Sequence, residues 1–94
     1  MNKQDVNPLQ ESVKELMYVF GYEVDENLSD EELYEYLQEL TTMLALVCKL
    51  IRLNLKTWKE ACKYVGNLRY GEVLAELQLS DNTLIQKFEK GYKI

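Results

Sequence analysis

The stretch Ser29-Asp-Glu-Glu-Leu-Tyr-Glu-Tyr-Leu-Gln-Glu-Leu-Thr-Thr-Met-Leu-Ala-Leu-Val-Cys-Lys-Leu-Ile-Arg-Leu-Asn54 decides the fold. Ser29 followed three residues later by Glu32 is a capping box, in which each side chain satisfies a backbone N–H left unpaired by the first helical turn. Beyond it, Leu33, Leu37, Leu40, Leu44, Val47 and Ile51 recur at alternating spacings of four and three, an a/d seam. Tyr36, Met43 and Leu50 flank this seam and widen it. From Met43 to Leu53 the helix is apolar on nearly every face, which predicts burial on several sides. The stretch therefore reads as the central post of a small helical protein, a helix over about 30–53.

Capped amphipathic segments surround it. Asn7-Pro8 opens a first helix at about 8–20, with Asn as N-cap and Pro at the first helical position. Its apolar stripe is Leu9, Val13, Leu16, Met17 and Phe20, and Gly21 is placed to end it in a left-handed conformation. Thr57 and Glu60 form a second capping box before a helix with Trp58, Ala61, Cys62 and Val65 inward, ending at Gly66. A helix at about 69–77 carries Val73, Leu74 and Leu77 inward. Ser80 caps a last helix with Leu84, Ile85 and Phe88, closing at Gly91. No stretch alternates with period two and no hairpin turn signal occurs. The expected fold is all-α: one domain over residues 1–94, a compact five-helix bundle around a long central helix, with residues 1–6 frayed.

Ninety-four residues form one thin core. The apolar fraction of 47% and a mean hydropathy of −0.34 fit a folded, water-soluble chain. The longest apolar run contains Lys49 and Arg52 and falls short of the roughly 20 residues a membrane span needs. Met1 to Asn7 lacks the apolar core of a signal peptide, so a cytoplasmic location is expected. In that compartment Cys48 and Cys62 read as buried, reduced thiols.

Catalytic and metal chemistry find little support. The chain has no His, which excludes Ser-His-Asp and Cys-His pairs within it. Two Cys without His do not make a zinc site. The acidic run from Asp25 fails as a calcium loop, because Asp30 stands where Gly is needed and Tyr36 where a bidentate Glu is needed. No Gly-rich phosphate loop is present. A non-enzymatic protein without cofactor or metal is expected.

Charge is unevenly spread over a net of −5. Residues 1–43 carry two Lys against eleven acids, a net of −9, and residues 44–94 carry nine basic residues against five acids, a net of +4. Either the halves face each other in the fold or they face different partners. On the central helix Glu31, Glu32, Glu35 and Glu39 form an anionic face interleaved with Tyr34 and Tyr36. The like-charge i,i+4 pairs Glu31–Glu35 and Glu35–Glu39 each cost about 0.2–0.5 kcal/mol, and Glu39 lies too far in to gain from the helix dipole. Such a face suits a basic partner protein, with Tyr34 as anchor. The alternative is a solvated face that keeps a small acidic protein soluble. The functional expectation is a small protein-binding regulator or inhibitor that occludes a basic surface. Size and acidity are compatible with a phage or mobile-element origin.

Residues Glu72 to Gly91 resemble a helix-turn-helix, within a segment spanning 69–91. Leu74, Leu77, Leu79, Leu84 and Phe88 occupy its packing positions, and Ser80 and Thr83 lie where its second helix starts. The resemblance implies a dimeric DNA-binding regulator. Asn82 and Gln86 would read base edges, Lys87 and Lys90 would contact phosphate or guanine, and Arg69 and Lys93 would add backbone contacts. Two short capped helices packed in a bundle give the same pattern. The seam likewise has two readings: closure within one chain, or a homodimer sharing Leu40, Leu44, Val47 and Ile51. The near all-round apolarity of Met43–Leu53 favours the homodimer.

Overall fold

The computed structural model describes residues 8–23 and 28–91, with side chains as far as residue 89. Five helices follow one another: α1 (Pro8–Val19), α2 (Asp30–Arg52), α3 (Trp58–Gly66), α4 (Tyr70–Gln78) and α5 (Asp81–Gly91). No strand occurs among the described residues. The protein is an all-α bundle, and α2 packs directly against α1, α3 and α4. The expected N-cap Asn7, the frayed segment 1–6, the acids Asp25 and Glu26 and the cation Lys93 lie outside the described residues, as does the Lys90 side chain.

Local chemistry accounts for the helix limits. Both capping boxes form: Glu32 N–H donates to Ser29 Oγ at 3.2 Å and Ser29 N–H to Glu32 Oε1 at 2.9 Å, and Thr57 and Glu60 repeat the pattern. Gly21 has φ of +79° and closes α1 with a Schellman motif, Tyr22 N–H bonding Met17 O and Gly21 N–H bonding Tyr18 O. α2 ends the same way with Asn54 at φ of 60°, Leu55 N–H on Leu50 O and Asn54 N–H on Ile51 O. Asn is among the few non-glycine residues that tolerate this conformation. Thr83 N–H donates to Ser80 Oγ at 3.2 Å, so Ser80 starts α5 as expected.

The core face of α2 is rotated from the expected seam. Leu33, Leu40, Met43, Leu46, Val47 and Leu50 are buried, whereas Leu37, Leu44 and Ile51 lie at the margin, half-buried against the core. An a/d stripe serves one partner helix, but α2 has three, which demand a wider arc. Leu40 and Val47 are thus consumed inside a single chain, and Leu44 and Ile51 are partly covered by it. Of the expected homodimer seam, Leu40 and Val47 face the core of the chain itself, and Leu44 and Ile51 keep a partly exposed edge. The outward face of the apolar run is instead occupied by Ala45, Cys48 and Arg52.

Three further positions differ from expectation. Cys48 is exposed and only Cys62 is buried; both thiols are free. Burial raises the Cys62 pKa, and the neighbouring Cys48 adds to the effect. Trp58, expected inside, is half-exposed at the first turn of α3. On α4, Leu74 faces outward while the carboxylate of Glu76 is buried. Sequence periodicity ranked Leu74 as core because it is apolar, but Val73 and Glu76 lie three residues apart and share the inner face.

Candidate functional site

The first candidate is the acidic half of α2. Its inner side is fixed by Leu33 and Leu40, each 1% exposed. With about 100° of rotation per residue, Glu31, Glu35 and Glu39 fall on the outer side, spaced one turn apart, and all three are exposed. Tyr34 flanks them and is 64% exposed. None of the three glutamates forms a salt bridge among the described residues. Glu32 is exposed too, but its carboxylate accepts from Ser29 N–H and is spent on the cap. Tyr36 is exposed as well, less so than Tyr34. Glu39 lies close enough to Tyr22 to raise the phenol's pKa, although burial is the larger cause. The structure therefore groups Glu31, Tyr34, Glu35 and Glu39 as one surface and assigns Glu32 to the helix start.

The second candidate is the α4–α5 pair. Only Leu79 and Ser80 separate the two helices. Leu79 has extended backbone (φ −71°, ψ 145°), and Gln78 remains helical. A helix-turn-helix uses a turn of three or four residues, often with Gly, so this connection departs from it. Among the described charged residues of the pair, Glu76 is buried and Glu72, Asp81, Lys87 and Glu89 are exposed. Lys87 Nζ lies 2.8 Å from Glu76 Oε2, which also accepts from Tyr64 Oη at 2.6 Å. Arg52 pairs with Asp81 at 3.2 Å. Lys49 donates to the Leu77 and Leu79 carbonyls at 3.2 and 2.7 Å, serving the C-terminal carbonyls of α4. Lys56 sits over the rings of Tyr64 and Phe88, themselves in edge contact at 5.2 Å. Of the expected DNA contacts, Asn82 and Gln86 are exposed on α5 and Arg69 is exposed before α4. Lys87, half-exposed, pairs with the buried carboxylate of Glu76.

The Arg52–Asp81 pair has a pH signature. The hydrogen bond from Arg52 holds the Asp81 carboxyl below its ordinary value of 3.8; partial desolvation opposes this, and the charges of Arg52 and Lys49 reinforce it. A folded value below the unfolded one stabilises the fold above the unfolded pKa, and the contribution is lost as pH falls through the folded value. Arg52→Gln is therefore expected to lower the urea midpoint at about pH 7, with the difference from wild type shrinking below about pH 3.8. A difference that stays constant across that range would remove the pair from the account.

A third feature was not anticipated. Tyr18, Val19, Phe20 and Gly21 at the end of α1 face Trp58, Lys59, Cys62 and Lys63 on α3 across an open groove of about 380 Å³. Gly66 and Tyr22 set this junction. Tyr22 Oη donates to Gly66 O at 3.1 Å, and the missing side chain of Gly66 admits the Phe20 backbone. In sequence, the only hint is Trp58 beside Lys59 with Lys63 one turn later.

No group of three or more His, Cys, Asp or Glu is placed to hold a metal ion among the described residues. No helix there is long and apolar enough to cross a membrane. The fold and surfaces define an all-α helical bundle with charged faces. Comparison with protein-family models, with curated proteins and with solved structures returned no match.

Proposed function

We propose that this protein is a small, non-enzymatic regulator or inhibitor that acts in the cytoplasm by laying the acidic face of α2 over a basic surface of a partner protein. One observation carries the reading. Glu31, Glu35 and Glu39 stand in a row beside exposed Tyr34, without a salt bridge among the described residues, on a helix whose opposite side is locked in the core. The row costs helix stability through its like-charge spacings, and a cationic partner would reverse that cost. Mechanistically this is occlusion. The glutamates pair with Lys or Arg of the partner, Tyr34 supplies the apolar anchor, and the rigid helix presents them together.

The test is capture of partners from lysate on immobilised protein, with and without nuclease, followed by a salt step. The Debye length falls from about 10 Å at 0.1 M to about 3 Å at 1 M salt, so a bound protein should survive nuclease and be released by salt. Recovery of DNA, with any protein lost after nuclease, would contradict the proposal and transfer function to Arg69, Asn82 and Gln86.

A further inference from the structure

The groove between α1 and α3 has the opposite chemistry to the acidic face. Tyr18 is 81% exposed and Trp58 51% exposed, an arrangement that leaves two large aromatic surfaces in water beside one concavity. Lys59 and Lys63 line the same groove, one helical turn apart on α3. Neither forms an ion pair among the described residues, and Glu15, one turn before Val19 on α1, forms no salt bridge with either. Lys49, Arg52 and Lys87 on α2 and α5 all hold hydrogen-bond or ion-pair partners within the fold. Among the described residues, Lys59 and Lys63, which have no such partner, thus lie beside the exposed Trp58.

We infer that this groove docks an acidic peptide segment carrying one bulky apolar side chain. The apolar residue enters between Tyr18 and Trp58, and flanking carboxylates meet Lys59 and Lys63. A volume of about 380 Å³ lies at the lower end of ligand pockets, roughly 300–1,000 Å³, and leaves room for a bulky apolar side chain. Two cations match a segment with carboxylates on either side of the apolar residue. The protein then carries two recognition surfaces of opposite sign. The groove does not depend on the acidic-face reading.

Trp58 is the chain's only tryptophan, so its emission reports on the groove directly. The probe is a capped Glu-Glu-Leu-Glu-Glu peptide titrated into the full chain. A saturable blue shift is expected, weakened about tenfold when the central Leu is replaced by Ala and about tenfold in the variant Lys59→Glu/Lys63→Glu. Thermal melts confirm that the variant is folded, and the neutral Lys59→Gln/Lys63→Gln should show an intermediate loss. No shift, an equal response to Lys-Lys-Leu-Lys-Lys or to an oligo-dT strand, or an unchanged titration in both variants would overturn the proposal. So would a shift that follows protein concentration alone with a doubling of mass, which would assign the groove to a second copy.

Discussion

Replacing Glu76 with alanine is expected to cost about 3 kcal/mol of stability. Glu76 is 3% exposed on α4 and its Oε2 accepts from both Tyr64 Oη and Lys87 Nζ. Hydrogen bonds to a charged group are each worth roughly 1.5–3 kcal/mol. Against that gain stands the desolvation of the carboxylate, whose Oε1 has no hydrogen-bond partner. The net loss should lower the melting temperature by roughly 12–24 °C for a domain of this size. Glu76→Gln keeps an acceptor for Tyr64 and gives up the charge that holds Lys87, so about half the loss is expected. Lys87→Met leaves the carboxylate buried without a cation and should also destabilise, by about 2 kcal/mol given that the lysine head is half-exposed. Melts of the three variants check the order. If Glu76→Ala melts with wild type, the buried carboxylate does not hold α3, α4 and α5 together. A loss of DNA binding in a Lys87 variant would then need a folding control before it spoke for a recognition helix.

Gly66→Ala is the second large effect, expected at about 1–2 kcal/mol. Alanine gains up to about 1 kcal/mol in helix propensity, yet its Cβ would lie 2.6 Å from the Phe20 carbonyl oxygen. That atom is backbone and has no rotamer through which to move away. Overpacking of this kind costs about 1–3 kcal/mol. The end of α1 must shift, and with it Tyr18 and Val19 on the groove wall, so Trp58 emission should change alongside the melt. Gly71→Ala is the matched control. No atom lies within 4 Å of its added Cβ, and the substitution should be neutral or stabilising by up to about 1 kcal/mol. Equal melts for the two alanine variants would show that the close approach of Phe20 to α3 is not a constraint.

Helix limits were legible because their signals are local. Ser29 with Glu32, Thr57 with Glu60, Gly21 and Ser80 act on backbone groups within a few residues, and each performs the role its type and spacing imply. The acidic row was legible for the same reason, since a helix axis and one buried side fix where Glu31, Glu35 and Glu39 point. Positions set by packing were not. Met43 and Leu50 displaced Leu37 and Leu44 from the core because three helices, rather than one, cover α2. Glu76 reads in sequence as a surface acid, and only the arrival of Tyr64 from α3 and Lys87 from α5 makes its burial tolerable. Lys49 likewise interrupts an apolar run in sequence and serves the end of α4 in space. The groove joins residues 40 positions apart, Tyr18 and Trp58, and no local pattern encodes that meeting.

The most direct test of the acidic face is a side-by-side capture with wild type and Glu31→Lys/Glu35→Lys/Glu39→Lys, read by quantitative mass spectrometry. All three side chains are exposed, so helicity and melting should be retained in the variant. The salt-sensitive partner held by wild type is expected to disappear from the variant. Retention of the same partner at the same level on the folded variant would contradict the acidic-face reading.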